Sequence, residues 1–305
     1  MTGGPRVRAE VPGAVDPPRA AVMEAVARAL AEDLLPLGDL TASLVPAERT
    51  ATLVVVTRAH GVVAGRACAV EAFGQLDPGI RVVWHLPDGT TVAPGDVVAT
   101  VSGSLRQVLT AERTALNFLC HLSGIASFTR RFVTAVQAVD PRVRVLDTRK
   151  TTPGLRSLEK AAVRAGGGHN HRANLSDAVL VKDNHLGGMS ITEAVGRARA
   201  TWPGRMVEVE CDRPEQVREA CEAGAGAVLL DNMAPEEVAR CVELARSTAP
   251  GGAVLVEVSG GVTIETAPAY AATGIDLVSV GALTHSAPAL DLGLDLVLPD
   301  RGREG

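Results

Sequence analysis

From residue 143 to residue 280 the chain repeats one pattern: a short run of Val, Leu and Ala, a polar residue at its end, then an amphipathic segment. The apolar runs are VRVLD (143–147), AVLVK (178–182), MVEVE (206–210), AVLLD (227–231), AVLVEVS (253–259) and DLVSV (276–280). Between them lie helical stretches such as LRSLEKAAVRAG, PEQVREACEAG and PEEVARCVELARS. Apolar strands alternating with helices predict a parallel sheet covered by helices. The six strands make either an open sheet or a barrel. The barrel is favoured by what ends the strands: Asp147, Lys182, Glu210, Asp231 and Ser259, with Gly281 just past the last. A barrel gathers its strand ends at one mouth, where catalytic groups collect, whereas an open sheet spreads them along an edge. With six clear strands the α/β barrel is expected to be incomplete, six- to seven-stranded.

Upstream the rhythm differs. Residues 20–35 have helical periodicity, and LGDLT after them reads as a turn. TLVVVTRAHGVVAG, RACAVEAFG, IRVVWHL and GTTVAPGDVVATVSG read as strands broken by Gly and Pro, with PDGT (87–90) as a turn. Together they form an α+β unit of about 110 residues. Residues 110–138 read as one long helix or two, with an interruption near Ser123–Gly124. Whether the tail LGLDLVLPDRGREG packs back on the first unit is left open by its pattern. Residues 1–19 have no apolar signal-peptide core and read as a flexible lead-in.

Composition narrows the class. Hydrophobic residues are 46% of the chain and aromatics only 2%, so the core is built from Ala, Val and Leu. A net charge of -5 argues against nucleic acid as the main partner. No uncharged apolar run reaches membrane-spanning length, so no membrane span is expected. The five cysteines are scattered, without CxxC pairs or zinc spacing, which suits a reducing cytoplasm better than a disulfide framework.

Of 30 basic residues only three are lysine: Lys150, Lys160 and Lys182. Base-composition bias is one reading of the scarcity. Yet Lys150 and Lys182 stand at the ends of apolar runs, where a compact ammonium is not replaced by the wider guanidinium fork. The densest polar stretch is 147–185. Asp147, Arg149 and Lys150 follow one strand; GGGHNHR places His169, His171 and Arg172 after three glycines; Lys182 to His185 follow the next strand. This is either two charged loops with a glycine linker or a concave anion site. In a barrel, Arg149, Lys150, Arg172 and Lys182 converge on one mouth. Such a cluster calls for a ligand with several negative charges: a dicarboxylate, a diphosphate or both. HxH alone is a weak metal signature, and no zinc site is expected. His171 reads as a hydrogen-bonding, cation-supporting or structural residue.

Glu208 and Glu210 share a strand face, with Glu210 nearer the mouth. Glu210 and Asp231 at neighbouring strand ends suit Mg²⁺ or sugar hydroxyls, while Asp231 or Asn232 alternatively caps the helix beginning APEEV. EVSGG (257–261) and SVGAL (279–283) are glycine turns whose backbone N–H groups suit a phosphate. Neither resembles a dinucleotide fingerprint or a P-loop. Cys120 and His121 sit side by side in a helical stretch, face apart and read as structural.

The stretches TAERTALNFLCHLSGIA, DTRKTTPGLRSLEKAAVRAGGGHNHR, LVKDNH, VEVE, LLDNM and EVSGG resemble, in order and spacing, the quinolinate phosphoribosyltransferase family over residues 20–295. The resemblance implies an N-terminal α/β sandwich domain (20–120), joined by the tail 286–305, and an incomplete α/β barrel (121–285). It implies a homodimer in which Arg113 of TAERT enters the partner's active site. Matched by position, Arg113, Arg149, His171 and Arg172 contact quinolinate. Lys150 and Lys182 stand between a quinolinate carboxylate and the diphosphate of 5-phosphoribosyl 1-diphosphate. Glu210 and Asp231 bind ribose hydroxyls and Mg²⁺, and Ser259, Gly260 and Gly281 hold the 5-phosphate. The implied reaction gives nicotinate mononucleotide, diphosphate and CO₂, with Lys150, Lys182, Glu210 and Asp231 as the catalytic set. The rival is a sister protein acting on another pyridine carboxylate or associated with molybdenum uptake. Arg113, Arg149, His171 and Arg172 together overprovide charge for a monocarboxylate.

Overall fold

All six apolar runs become strands of one parallel sheet, because each buries both faces between helices and the interior of the sheet. The computed structural model describes residues 16–297 apart from 250 and 252. The expected lead-in over 1–15 and the tail beyond 297 lie outside the described residues. The first unit comprises α1 (Arg19–Leu34), a 3-10 turn at Ala42–Leu44, β1 (Thr50–Thr57), β2 (Gly61–Val62), α2 (Arg66–Leu76), β3 (Arg81–Trp84), β4 (Thr91–Val92) and β5 (Val97–Ser104). α3 (Leu105–Gln137) leads to β6 (Arg144–Leu146), α4 (Arg156–Ala165), β7 (Val179–Val181), α5 (Asp183–Leu186), α6 (Ile191–Thr201) and β8 (Val207–Cys211). Then follow α7 (Pro214–Glu222), β9 (Ala227–Asp231), α8 (Pro235–Thr248), β10 (Leu255–Ser259), α9 (Ala267–Ala271), β11 (Leu277–Ser279), α10 (Ala282–His285) and β12 (Leu292–Leu296).

The parallel sheet has the order β6-β11-β10-β9-β8-β7. Each strand lies beside its successor, except that the first, β6, pairs with the last, β11. In a flat sheet β6 and β7 would be about 24 Å apart at ~4.8 Å per strand. The segment leaving β6 shows that the sheet curls instead. Its backbone runs along β6, with a parallel bridge between Leu146 and His169. Two residues on, the His171 ring reaches Glu208 of β8 at 3.1 Å and Glu257 of β10 at 3.5 Å. The result is an incomplete barrel, open between β6 and β7, with His169 to His171 laid along the β6 edge.

Two local expectations are corrected. RACAVEAFG is not a strand but most of α2. Its buried residues Cys68, Ala69, Ala72 and Phe73 recur at helical spacing, and Gly65 precedes it with a φ of 103°. The long helix α3 is not interrupted at Ser123–Gly124. Those small residues serve close approach: Ser123 Oγ hydrogen-bonds the Ala64 N–H at 2.9 Å and its carbonyl at 3.0 Å. A Cβ on Gly124 would lie 2.2 Å from the Pro288 carbonyl oxygen.

α3 spans about 50 Å and packs against both α2 and α4. The 120/121 position therefore falls inside a helix. The tail does pack back: β12 pairs antiparallel with β1, from Leu53 opposite Leu296 to Thr57 opposite Leu292. It becomes the edge of the sheet β12-β1-β5-β3. The cysteines are free thiols, all buried but Cys120, which is half-buried. Among the described residues no helix is long and apolar enough to cross a membrane.

Candidate active site

A cavity of about 510 Å³ opens where the six parallel strands end. Thr148, Arg149 and Lys150 enter it after β6, His171 and Arg172 from the glycine segment, and Lys182 after β7. Glu210, Asp231, Ser259 and Ser279 come from β8, β9, β10 and β11, with Gly260 beside Ser259. Leu180, Leu229 and Glu257 lie one pleat below Lys182, Asp231 and Ser259 and form the floor. The fold thus brings together nearly every residue singled out above. Gly281 stands beside them: a Cβ there would meet Lys150 Cδ at 3.0 Å and His285 Nε2 at 3.2 Å. Arg113 is not in this cavity; it is exposed on α3.

The cations crowd one another. Burial pushes the Arg172 guanidinium below its ordinary value, and the charge of Arg149 adds to that. Arg149 Nε is buried without a hydrogen-bond partner among the described residues. Lys182 pairs with Glu210. An array of this kind is relieved by a bound anion.

The loop bearing Arg149 and Lys150 is fastened from below. Buried Glu159 accepts the Thr152 N–H at 3.1 Å and bonds His121 at 2.9 Å. Thr284 Oγ1 donates to the Lys150 carbonyl at 2.8 Å. The glycine segment is fastened by Asp147, which accepts from Lys160 Nζ at 2.5 Å, Asn170 Nδ2 at 2.6 Å and the His171 N–H at 2.9 Å. Asp147, read as a polar strand end, is therefore fully buried and does not line the cavity. Lys160, Glu159, Asn170, Glu257 and Asn232 are the supports that sequence reasoning missed. The scarcity of lysine marked Lys160 as much as its two counterparts, but its partner Asp147 is thirteen residues away in sequence.

The capping reading of Asp231 and Asn232 is not what the fold uses. α8 starts after Ala234 with no side-chain cap, and Asp231 instead accepts from Asn232 Nδ2 at 2.8 Å. Asn232 adopts a left-handed φ of 57°, and its side chain occupies the space a Cβ on Gly260 would need. A residue other than glycine at 260 would displace it.

His171 carries the largest perturbation in the cavity. Burial alone lowers an imidazole's pKa, but hydrogen bonds and charges from Glu208 and Glu257 outweigh it and raise His171 to about 10. Burial raises Glu208, against the lowering effect of His171. The two carboxylates thus favour the protonated, cationic ring.

Comparison with known proteins gives the same picture over most of the chain. A curated relative, the "Probable nicotinate-nucleotide pyrophosphorylase [carboxylating]" of Bacillus subtilis, is 41% identical over 270 residues, covering 88% of this chain and 91% of that one. The "Nicotinate-nucleotide pyrophosphorylase [carboxylating]" of Mycobacterium leprae is 43% identical over 90% of this chain and 97% of its own length. The solved structure of the nicotinate-nucleotide pyrophosphorylase from Francisella tularensis superposes with a TM-score of 0.86 at 38% identity, covering 92% of this chain and 98% of that one. Residues 39–123 match the N-terminal domain and residues 125–295 the C-terminal domain of quinolinate phosphoribosyl transferase. Matched in both domains and in chain order, this protein belongs to the quinolinate phosphoribosyl transferase family.

Proposed function

We propose that the chain transfers the 5-phosphoribosyl group of 5-phosphoribosyl 1-diphosphate to quinolinate and releases CO₂, forming nicotinate mononucleotide and diphosphate. The observation that carries this is the cavity itself, which gathers Arg149, Lys150, His171, Arg172 and Lys182 with Glu210 and Asp231 in one lining. Both substrates are polyanions that develop or carry positive charge only at the ribose and the pyridinium. The pyridine nitrogen attacks ribose C1 as the C1–oxygen bond to diphosphate breaks. The nitrogen already has its lone pair, so this step needs no general base. Arg149, His171 and Arg172 bind and orient the two carboxylates. Lys150, which makes no ion pair among the described residues, and Lys182 compensate the leaving diphosphate. Glu210 and Asp231 hold the ribose hydroxyls beside the oxocarbenium-like carbon, and Ser259, Gly260 and Gly281 take the 5-phosphate. The C2–carboxylate bond then breaks toward the cationic ring nitrogen, CO₂ leaves and C2 takes a proton.

Glu210 and Asp231 offer carboxylate oxygens from adjacent, paired strands, a donor set that fits Mg²⁺. Bound there, Mg²⁺ would supply charge neutralisation for the diphosphate. A homodimer completes the site with Arg113 from a second copy. Leu35, Leu37, Leu40 and Leu44 are each at least 66% exposed in the segment after α1. Thr110 ties that segment through Asp39, and Thr114 ties the last turn of α1 through Asp33, to the turn of α3 bearing Arg113. An apolar exposed patch beside a cavity-seeking arginine supports a second copy as its cover. The buried free thiols support a reducing compartment, the cytoplasm.

The test is incubation of purified protein with Mg²⁺, 5-phosphoribosyl 1-diphosphate and either quinolinate or nicotinate, following CO₂ and mononucleotide. Equimolar CO₂ and nicotinate mononucleotide from quinolinate alone is expected. Product from nicotinate alone would overturn the dicarboxylate assignment.

A further inference from the structure

We propose that Glu208, buried beneath the cavity, and Glu257, on its floor, are positioning residues. They lock the His171 ring so that its remaining nitrogen serves a carboxylate of the dicarboxylate substrate. The inference rests on the function proposed above and deepens it toward substrate selection.

Glu208 and Glu257 come from β8 and β10, with β9 between them, and are 4% and 1% exposed. Neither pairs with a lysine or arginine among the described residues; the cation they share is His171 Nε2. Glu208 Oε1 has no hydrogen-bond partner, and Glu257 Oε1 reaches the imidazole only at 3.5 Å. Two carboxylates buried against one imidazole, with acceptors left over, are a poor device for stability. Apolar side chains would floor the barrel at lower cost. The arrangement does explain how a histidine can be held still.

The main chain of His171 is held as well. Its N–H donates to Asp147 at 2.9 Å, and its carbonyl accepts from Lys160 at 3.1 Å. With Nε2 engaged below, Nδ1 is the one donor of this residue left for a ligand, and the ring lines the cavity. The other charged residues lining the cavity are Arg149, Lys150, Arg172, Lys182, Glu210 and Asp231. Burial disfavours a charged ring, but the two glutamates overcome that and keep it cationic. The arginine forks suit one carboxylate and the fixed imidazolium a second, so the clamp favours a 1,2-dicarboxylate over a monocarboxylate.

Glu257→Gln and Glu208→Gln, each also combined with His171→Gln, test this by steady-state kinetics with both substrates varied. Each single variant is expected to raise the quinolinate KM about tenfold, leave the phosphoribosyl donor KM within about twofold, and lower kcat less than KM rises. Glu257→Asp, which keeps the charge, should recover most of the affinity. In the His171→Gln background the glutamate substitutions should add nothing, since a residue acting only through His171 has nothing left to position. A glutamate effect that persists without His171 would overturn the proposal, as would equal losses for both substrates with a lowered melting temperature. So would a stoichiometric metal ion in the purified wild type that Glu257→Gln removes. Wild-type protein run alongside separates the two levels. Wild-type turnover with unaltered variants defeats this inference alone, whereas a wild type silent on quinolinate defeats the function and this inference with it. Should Glu257→Gln fail to fold, Glu208→Gln and Glu257→Asp carry the same comparison.

Discussion

Burial, and after it the neighbouring charge of Arg149, disfavours the Arg172 cation, which marks the cavity for a polyanion. Arg172→Ala should cost roughly 2–5 kcal/mol in kcat/KM for quinolinate, the usual penalty for removing one partner of a buried charge pair. Comparison of kcat/KM with that of the wild type checks it. His171 yields a pH prediction. An unfolded imidazole titrates near 6.5, and the folded one is raised to about 10. The stability this contributes is fully present below about 6.5 and is lost as pH rises through about 10. Denaturant midpoints measured from pH 6 to 10 should therefore fall more steeply in the wild type than in His171→Gln. The cationic residues were legible in sequence because they follow strand ends, where a parallel barrel must expose them. Glu257 was not, because a carboxylate inside AVLVEVS acquires meaning only when β10 curls to face β8.

At the level of elements, two helical glycines with opposite roles give a paired prediction. Gly196 lies within α6 with open space around its Cβ position. Gly196→Ala should stabilise by about 0.5–1 kcal/mol through helix propensity alone. Gly124→Ala gains the same propensity, but its methyl would meet the Pro288 carbonyl at 2.2 Å. Overpacking of this kind costs about 1–3 kcal/mol, so its melting temperature should drop. Thermal unfolding of both variants checks the pair. The same contact explains why an interruption of α3 was expected: Ser-Gly in a helix marks either a break or a close approach, and local pattern does not distinguish them. The misreading of α2 has a similar origin, since RACAVEAFG is short, rich in Ala and β-neutral. Its burial against α3 selects the helix.

For the whole molecule the testable matter is completeness of the site. If Arg113 serves a second copy, Arg113→Ala and Lys150→Ala homodimers should each be nearly inactive. Mixed and reassembled in equal amounts they should recover about a quarter of wild-type activity, because half the dimers are hybrid and each hybrid has one intact site. Failure to recover would place Arg113 outside the neighbouring site. The six βα units, the parallel sheet and the charged residues that follow the strand ends were legible in the sequence alone. Those follow from local apolar periodicity and from the chemistry of strand ends, both properties of a few consecutive residues. The pairing of Asp147 with Lys160, the meeting of Glu208 and Glu257 at His171 and the return of the tail to β1 emerged from the folded chain. These are meetings of residues distant in the chain. They are fixed by how far the sheet curls and where α3 lies, and no local pattern encodes that.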